Sequence, residues 1–244
     1  MVCSLFKLAE LEACRTGRCP GLGRVRTERS VRTLPSPGQR PVLHASSSAN
    51  LNNEHTIDDL MPRRFACAVG APRCGTTTLS RLLAKHPDVA FSSVKEPHFF
   101  SRYDLNELTE RELREALKND YLPRYFGHCS PDKLWAEGSV SYLYAADRMP
   151  PILRVWPDAK FIVAVRDPLT MLPSLHQRLL YAGDEVVDDF AKAWALTSER
   201  AQGRRIPRSC VAPEFLRYDE IGRLGKYLER FFDVVGRERC FVAV

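Results

Sequence analysis

A chain of 244 residues with 44% apolar and 27% charged side chains has an ordinary globular composition and is long enough for one α/β domain with an appendage. Most of its net charge of +6 comes from residues 1–50, which contain eight Lys or Arg and three Asp or Glu. A nucleic-acid-binding protein is therefore not expected, because the rest of the chain is nearly neutral. No apolar run approaches the ~20 residues of a transmembrane helix, so no membrane-spanning segment is expected either.

Residues 1–60 form the first predicted segment, a leader that is rich in Arg and Ser and interrupted by Pro and Gly. This composition resembles an organellar transit peptide of plastid type, although the acidic residues Glu10 and Glu12 are unusual for one. A disordered tail without an addressing role is the alternative. We therefore expect the protein in an organelle or in the cytoplasm, with residues 61–244 as its folded domain.

Strands alternate with helices along residues 61–244. Buried-strand patterns occur at 65–70, 89–91, 135–138, 161–165 and 240–244, and helical patterns at 76–86, 105–119, 145–156, 169–181, 188–202 and 221–232. Thr109 and Glu112 have the spacing of a capping box at a helix start. The uninterrupted β-branched run at 161–165 is typical of a strand covered on both faces. This order of elements predicts a doubly wound parallel sheet of the α/β class.

A phosphate-binding strand–loop–helix is predicted at residues 69–79. Gly70 and Gly75 allow a tight turn and a close approach of the backbone to an anion. The residues after Gly75 open a helix, whose unpaired N–H groups favour negative charge. The two glycines have the spacing of an ATP-binding P-loop, but Thr76 stands where that motif requires Lys. The nearest cation is Arg73, so the positive charge lies before the turn.

A second candidate phosphate site follows the strand at 161–165. Arg166 comes directly after this strand, and Ser174 lies eight residues later. Open parallel sheets bind ligands at this edge, and the planar fork of Arg suits phosphate. Taken alone, this pattern is better explained by a surface pair of Arg166 and Asp167 with an incidental Ser.

A candidate general base lies in the segment VKEPHFF, after the strand at 89–91. The apolar neighbours of Glu96 predict a pKa that is raised toward that of a useful base, while Lys95 would lower it. His98 is a rival base, although a histidine among aromatic residues is more often a structural hydrogen-bonding partner.

Together these segments resemble the sulfotransferase family that uses 3′-phosphoadenylyl sulfate. FACAVGAPRCGTTTL resembles its 5′-phosphosulfate loop, and FIVAVRDPLTMLPSL resembles its 3′-phosphate motif. VKEPHFF resembles the segment with the catalytic Glu in the heparan-sulfate and carbohydrate branch. EGSVSYLY, at 137–144, is similar to a segment that lines the acceptor cleft. The resemblance covers residues 65–244 and implies a P-loop NTPase-like sulfotransferase fold.

The resemblance also implies a role for individual residues. Arg73 would touch the transferring group, and Glu96 would be the general base. The 5′-phosphate cradle would consist of Cys74, Gly75, Thr76, Thr77 and Thr78, and the 3′-phosphate clamp of Arg166 and Ser174. Two departures from the family pattern are expected to matter. Pro173 precedes Ser174 and would alter the start of its helix, and the loop that closes over the nucleotide would lie beyond Val244.

The implied reaction is in-line transfer of a sulfuryl group from 3′-phosphoadenylyl sulfate to a hydroxyl or amine. The acceptor would be carbohydrate-like or a small hydroxylated metabolite. No metal is expected, because the loop and Arg73 supply positive charge and the eight scattered cysteines lack the spacing of a zinc site. One alternative is a P-loop kinase or other NTPase, in which only Asp167 would hold Mg²⁺. The other is an inactive sulfotransferase-like binding protein that is truncated before its nucleotide lid.

Overall fold

The computed structural model describes residues 61–127 and 129–244, so the predicted leader at 1–60 lies outside the described residues. Five strands form one sheet in the order β2-β3-β1-β4-β5, and every neighbouring pair is parallel. The strands are β1 Arg64–Gly70, β2 Val89–Phe91, β3 Leu134–Glu137, β4 Lys160–Ala164 and β5 Cys240–Ala243. The predicted α/β fold with a parallel sheet is confirmed.

Helices occupy most of the connections between the strands. They are α1 Thr76–Ala84, α2 Phe99–Arg102, α3 Glu110–Ala116, α4 Leu122–Phe126, α5 Pro150–Val155, α6 Pro168–Ala182, α7 Phe190–Ala195, α8 Thr197–Ala201, α9 Tyr218–Ile221 and α10 Leu224–Val235. A π-helical turn, Leu117–Tyr121, joins α3 to α4. Single 3₁₀ turns occur at Val140–Leu143, Ala146–Arg148, Pro213–Leu216 and Arg237–Arg239.

Both faces of the sheet are covered. Alternate residues of β1 point to opposite faces, so Phe65 and Val69 lie in the large core while Ala66 lies in a smaller cluster. Leu83 of α1 packs against that smaller cluster. The connection after β1 leads to β2 at one edge of the sheet, and the connection after β4 leads to β5 at the other edge. Because both are right-handed crossovers in opposite directions, the helices of the two connections lie on opposite faces of the sheet. This arrangement explains why β1 and β4 consist almost entirely of buried residues.

The ends of β1 and β4 meet closely at the carboxyl edge of the sheet. Gly70 has a φ of 153°, and a Cβ atom built there would lie 2.2 Å from the carbonyl oxygen of Ala164. The amide of Ala71 donates to the same carbonyl at 3.2 Å. Only glycine fits at position 70, and its close contact brings the loop after β1 beside the loop after β4.

Several predicted helices differ from the observed ones in their bounds. The pattern at 145–156 becomes a 3₁₀ turn followed by α5, because Pro150 and Pro151 suit only the first turn of a helix. The single helix predicted at 188–202 is divided into α7 and α8, and the one predicted at 221–232 is α10, three residues later. The prediction that Pro173 alters a helix start was wrong, since α6 begins at Pro168 and continues through Pro173. The capping box of Thr109 is confirmed.

Candidate functional site

The loop between β1 and α1 presents an open helix N-terminus. Gly75 is the N-cap of α1 in the left-handed conformation, with a φ of 77°, and among the described residues no side chain caps the helix. The first helical bond runs from the amide of Leu79 to the carbonyl of Gly75 at 3.0 Å, which leaves the first-turn amides without helical partners. The first turn has no acidic residue, and a Cβ atom on Gly75 would meet nothing within 4 Å. Unpaired amides beside open space fit a phosphate group.

The three threonines after Gly75 occupy the first turn of α1. Thr76 is buried, whereas Thr77 and Thr78 are exposed, so their hydroxyl groups are accessible from the loop. This placement agrees with the predicted cradle in position, and the role of each residue stays a prediction.

Arg73 connects this loop with the segment after β4. Its backbone is left-handed, with a φ of 67°, and its side chain is exposed. The Nε atom donates a hydrogen bond to Oγ of Ser174 in α6 at 3.0 Å. The structure therefore brings together Arg73, which the resemblance assigns to the transferring group, and Ser174, which it assigns to the 3′-phosphate.

Cys74 and Arg166 lie at the same junction. Burial raises the pKa of the Cys74 thiol to about 11, and the positive charge of Arg166 partly opposes this rise. The thiol donates to the carbonyl of Pro72 at 3.6 Å. A thiol with this pKa stays protonated near neutral pH and is a poor nucleophile, so Cys74 is suited to shaping the loop. Arg166 is exposed beside it and adds a second cation to the carboxyl edge of the sheet.

Glu96 is held by a cation on one oxygen and a histidine on the other. Nζ of Lys95 contacts Oε1, and Nε2 of His98 lies 3.3 Å from Oε2. Burial raises the pKa of Glu96, but the hydrogen bonds from His98 and Lys95 outweigh burial and lower it from 4.5 to about 2. The prediction of a raised pKa was therefore wrong, because the opposing effect expected of Lys95, together with a hydrogen bond from His98 that was not expected, exceeds the effect of burial.

His98 is fixed on both its backbone and its ring. Its backbone is left-handed, with a φ of 55°, and its amide donates to Oγ of Ser139 at 2.9 Å. Its Nδ1 atom lies 2.7 Å from Oγ of Ser141. The sequence indicated only a rival base or a structural histidine, whereas the structure places the ring between Glu96 and Ser141.

A buried carboxylate, Glu137, supports this region from β3. Tyr121 and Tyr142 donate to its Oε1 at 2.7 and 2.8 Å, and Ser139 donates to its Oε2 at 2.6 Å. Burial raises the pKa of Glu137, and these three hydrogen bonds partly offset the rise. Glu137 begins the segment 137–144, which was related to the acceptor cleft from its sequence without a role for this residue; a glutamate at the end of a buried strand followed by a run of hydroxyl-bearing residues was a visible signal.

Gly138 joins the Glu96 segment to α1. Its amide donates to the carbonyl of Lys95 at 3.1 Å. A Cβ atom at this position would lie 2.7 Å from Oγ of Ser80 in α1. The segment with the carboxylate is thus packed against α1, and Glu96 follows β2 at the same carboxyl edge of the sheet as Arg73.

Asp167, the residue considered for Mg²⁺, has a structural role. Its carboxylate caps α6 by accepting a hydrogen bond from the amide of Leu169 at 2.9 Å. Within residues 61–127 and 129–244, no group of three or more His, Cys, Asp or Glu side chains is placed to hold a metal ion. Over the same residues, no helix has the length and apolar character needed to cross a membrane.

Comparison with known proteins identifies relatives that bear on this site. The chain is 28% identical over 159 residues to carbohydrate sulfotransferase 15 of Mus musculus, a match covering 50% of this chain and 28% of that protein. It is 32% identical over 158 residues to heparan sulfate glucosamine 3-O-sulfotransferase 6 of Mus musculus, covering 63% of this chain and 40% of that protein. The match thus spans less than half the length of either relative.

A solved structure and a family model agree with these matches. The sulfotransferase of Alicyclobacillus acidocaldarius superposes with a TM-score of 0.58 at 28% identity, over 74% of this chain and 72% of that one. The family model for the sulfotransferase family matches residues 67–214 of this chain. This range includes the loop after β1 and the residues Glu96, Glu137, Arg166 and Ser174. The chain belongs to the sulfotransferase family.

Proposed function

We propose that this protein transfers a sulfuryl group from 3′-phosphoadenylyl sulfate to a hydroxyl or amine of a carbohydrate-like acceptor. The observation that carries this proposal is the hydrogen bond between Arg73 and Ser174, because it joins the open helix N-terminus to the segment after β4. A nucleotide with phosphate groups at both its 5′ and 3′ positions requires two anion sites next to each other. Arg166 adds a cation at the same place.

The N-terminal amides of α1 would hold the 5′-phosphosulfate, and Arg166 with Ser174 would hold the 3′-phosphate. As the bond between sulfur and the bridging oxygen breaks, negative charge grows on the departing 5′-phosphate. The amides after Gly75 and the guanidinium of Arg73 are donors that are already in place for that charge. The protein would thus bind the departing group more strongly in the transition state than in the ground state.

Glu96 would accept the proton of the acceptor hydroxyl. Both of its oxygens have partners, so the acceptor must displace Lys95 from Oε1 while His98 keeps Oε2 oriented. Loss of the cation and exclusion of water then raise the pKa of Glu96 from about 2, which strengthens the base when the acceptor is present. The names of the two relatives, which specify carbohydrate and heparan sulfate glucosamine, support a carbohydrate-like acceptor.

Calorimetric titration with 3′-phosphoadenosine 5′-phosphate, compared with ATP and Mg²⁺, tests the nucleotide. We expect binding of the bisphosphate without added metal and weaker binding of ATP. Magnesium-dependent ATP binding instead would favour a P-loop kinase or NTPase. Transfer of radioactive sulfate to a panel of glycans then tests the activity. Binding of a glycan without affinity for the bisphosphate would identify an inactive binding protein.

A further inference from the structure

His98 lies in a continuous row of hydrogen-bonding groups. Its Nε2 atom faces Oε2 of Glu96 at 3.3 Å, and its Nδ1 atom faces Oγ of Ser141 at 2.7 Å. Beyond Ser141, Oγ of Ser101 lies 2.6 Å away. The two serines come from different parts of the chain, Ser101 from α2 and Ser141 from the 3₁₀ turn after β3, so only the folded state forms the row.

The hydrogen-bonding chemistry of these groups determines which atom is the donor in each contact of the row. An ionised carboxylate only accepts hydrogen bonds, so Nε2 of His98 must donate to Glu96. In a neutral imidazole the other nitrogen is then an acceptor, and the hydroxyl of Ser141 is the donor that faces it. The hydroxyl of Ser101 has one proton and two acceptors within reach, Oγ of Ser141 at 2.6 Å and the carbonyl of His98 at 3.0 Å. With Ser141 donating to His98, the shorter contact requires Ser101 to donate to Ser141, while the carbonyl of His98 keeps the amide of Arg102 as a donor at 3.0 Å.

The backbone of His98 is anchored separately. Its amide donates to Ser139, whose hydroxyl donates to the buried Glu137. Because this anchor holds the left-handed backbone in place, rotation of the ring about its side-chain bonds is the remaining freedom. Ser141 is placed to remove that freedom.

We propose that Ser141 is a positioning residue that orients the imidazole of His98, so that Nε2–H points at Glu96. This inference rests on the proposed function in taking Glu96 as the base that removes the acceptor proton. With Oε2 engaged by His98, Oε1 is left to receive that proton. Without the hydroxyl of Ser141, the ring loses its donor at Nδ1, turns away, and leaves Glu96 without a fixed partner.

Charged groups lie near His98 on its own segment and on the elements packed against it. Lys95 and Glu96 lie on its own segment, Glu137 faces it from β3, and Arg148 donates to the carbonyl of Ser101 at 3.3 Å. Substitution of Ser141 changes none of these charges. A change in the pH profile of a Ser141 variant would therefore reflect the geometry of the pair formed by His98 and Glu96.

The first test is an NMR measurement that does not depend on activity. Full-length protein labelled with ¹⁵N-histidine is compared with Ser141→Ala, and a His98→Gln variant assigns the signals. We expect Nδ1 of His98 to be unprotonated and hydrogen-bonded in the wild type, and to shift toward an unbonded nitrogen in Ser141→Ala. A proton on Nδ1 in the neutral wild type, or an unchanged signal in Ser141→Ala, would overturn the proposal.

The second test is kinetic. Loss of one hydrogen bond predicts a kcat about three- to tenfold lower in Ser141→Ala, with an unchanged KM for the nucleotide. The acid limb of the profile should move to higher pH, because Glu96 loses a donor that lowers its pKa. Ser141→Thr retains a hydroxyl and should restore both the wild-type kcat and the wild-type position of the acid limb. Ser93→Ala is the matched control, since that hydroxyl donates to the carbonyl of Arg124. Equal profiles for Ser141→Ala and Ser93→Ala would refute the role. If the wild type transfers no sulfate, the proposed function fails, and the NMR result alone decides whether Ser141 orients the imidazole of His98.

Discussion

Nε of Arg73 and Oγ of Ser174 lie 3.0 Å apart although 101 positions separate them in the chain. The contact links the loop after β1 to the helix after β4, and these two strands are neighbours in the sheet. A ligand that contacts either residue will therefore affect the other. Recognition of the 3′-phosphate by Ser174 and placement of Arg73 beside the transferring group are expected to be coupled.

Ser174→Ala should weaken binding of 3′-phosphoadenosine 5′-phosphate by roughly ten- to a hundredfold, because a hydrogen bond to a charged group contributes about 1.5–3 kcal/mol. Binding of adenosine 5′-monophosphate, which lacks the 3′-phosphate, should weaken less, because only the placement of Arg73 changes. Calorimetric titration of both nucleotides gives the ratio of their two dissociation constants. Ser93→Ala serves as the control, and an unchanged ratio in Ser174→Ala would contradict the assignment of the 3′-phosphate clamp.

Gly70→Ala should destabilise the protein far more than Gly75→Ala. The added methyl group at position 70 would lie 2.2 Å from a backbone oxygen, so a loss of about 3 kcal/mol or more in unfolding free energy is expected. At Gly75 the surroundings are open and only the φ of 77° is unfavourable, a cost of about 1–2 kcal/mol.

Gly225→Ala, near the start of α10, is the matched control for the glycine series. Nothing lies within 4 Å of an added Cβ there, and alanine favours helix by up to about 1 kcal/mol. Chemical denaturation should therefore give the highest unfolding free energy for Gly225→Ala, a lower one for Gly75→Ala and the lowest for Gly70→Ala. Similar losses of unfolding free energy in Gly70→Ala and Gly75→Ala would show that the ends of β1 and β4 can move apart at little cost in free energy.

Features with a local cause were predictable from the sequence. The apolar runs of β1 and β4 and the glycine spacing before α1 each depend on neighbouring residues. The capping box of Thr109 and Glu112 involves two residues three positions apart. Such patterns identified the sheet class and the order of the candidate site residues along the chain.

Features that depend on the three-dimensional arrangement of side chains, whether their residues are neighbours or distant in the chain, were not predictable. The low pKa of Glu96 arises from the positions of two side chains in the folded segment, one of them on a left-handed backbone. The backbone of His98 is held by Ser139, 41 positions away, and Ser139 is held by Glu137. No periodicity in the sequence encodes a contact between residues at such separations.

Glu96→Gln should lower kcat for sulfate transfer by roughly 10²–10⁴, the usual contribution of a general base. The amide keeps the shape of the side chain but cannot accept a proton at neutral pH. Affinity for 3′-phosphoadenosine 5′-phosphate should stay within about twofold, because the phosphate-binding loop does not include this residue. Measured sulfate transfer at the wild-type rate would exclude Glu96 as the base.

Lys95→Met should move the acid limb of the activity profile to higher pH. Lys95 is one of two groups that lower the pKa of Glu96 to about 2, and Met removes its charge while keeping much of its length. Because Glu96 acts in its ionised form, a higher pKa means that activity is lost sooner as the pH falls. The profile of kcat/KM, measured from about pH 2 to pH 8, gives the shift. Lys85→Met, an exposed residue at the end of α1, should leave the profile unchanged.

Glu137→Gln should change how stability depends on pH. Burial raises the folded-state pKa of Glu137 above its ordinary 4.5, so the folded protein retains a proton that the unfolded chain releases. This carboxyl group therefore contributes stability that is fully present below pH 4.5 and is lost as the pH rises through the folded pKa. Other carboxylates, including Glu96, contribute with the opposite sign, so only the difference between the two proteins isolates Glu137. Urea unfolding at intervals above pH 4.5 should show the wild type losing stability relative to Glu137→Gln. Parallel curves would mean that Glu137 keeps an ordinary pKa because its hydrogen bonds compensate burial fully.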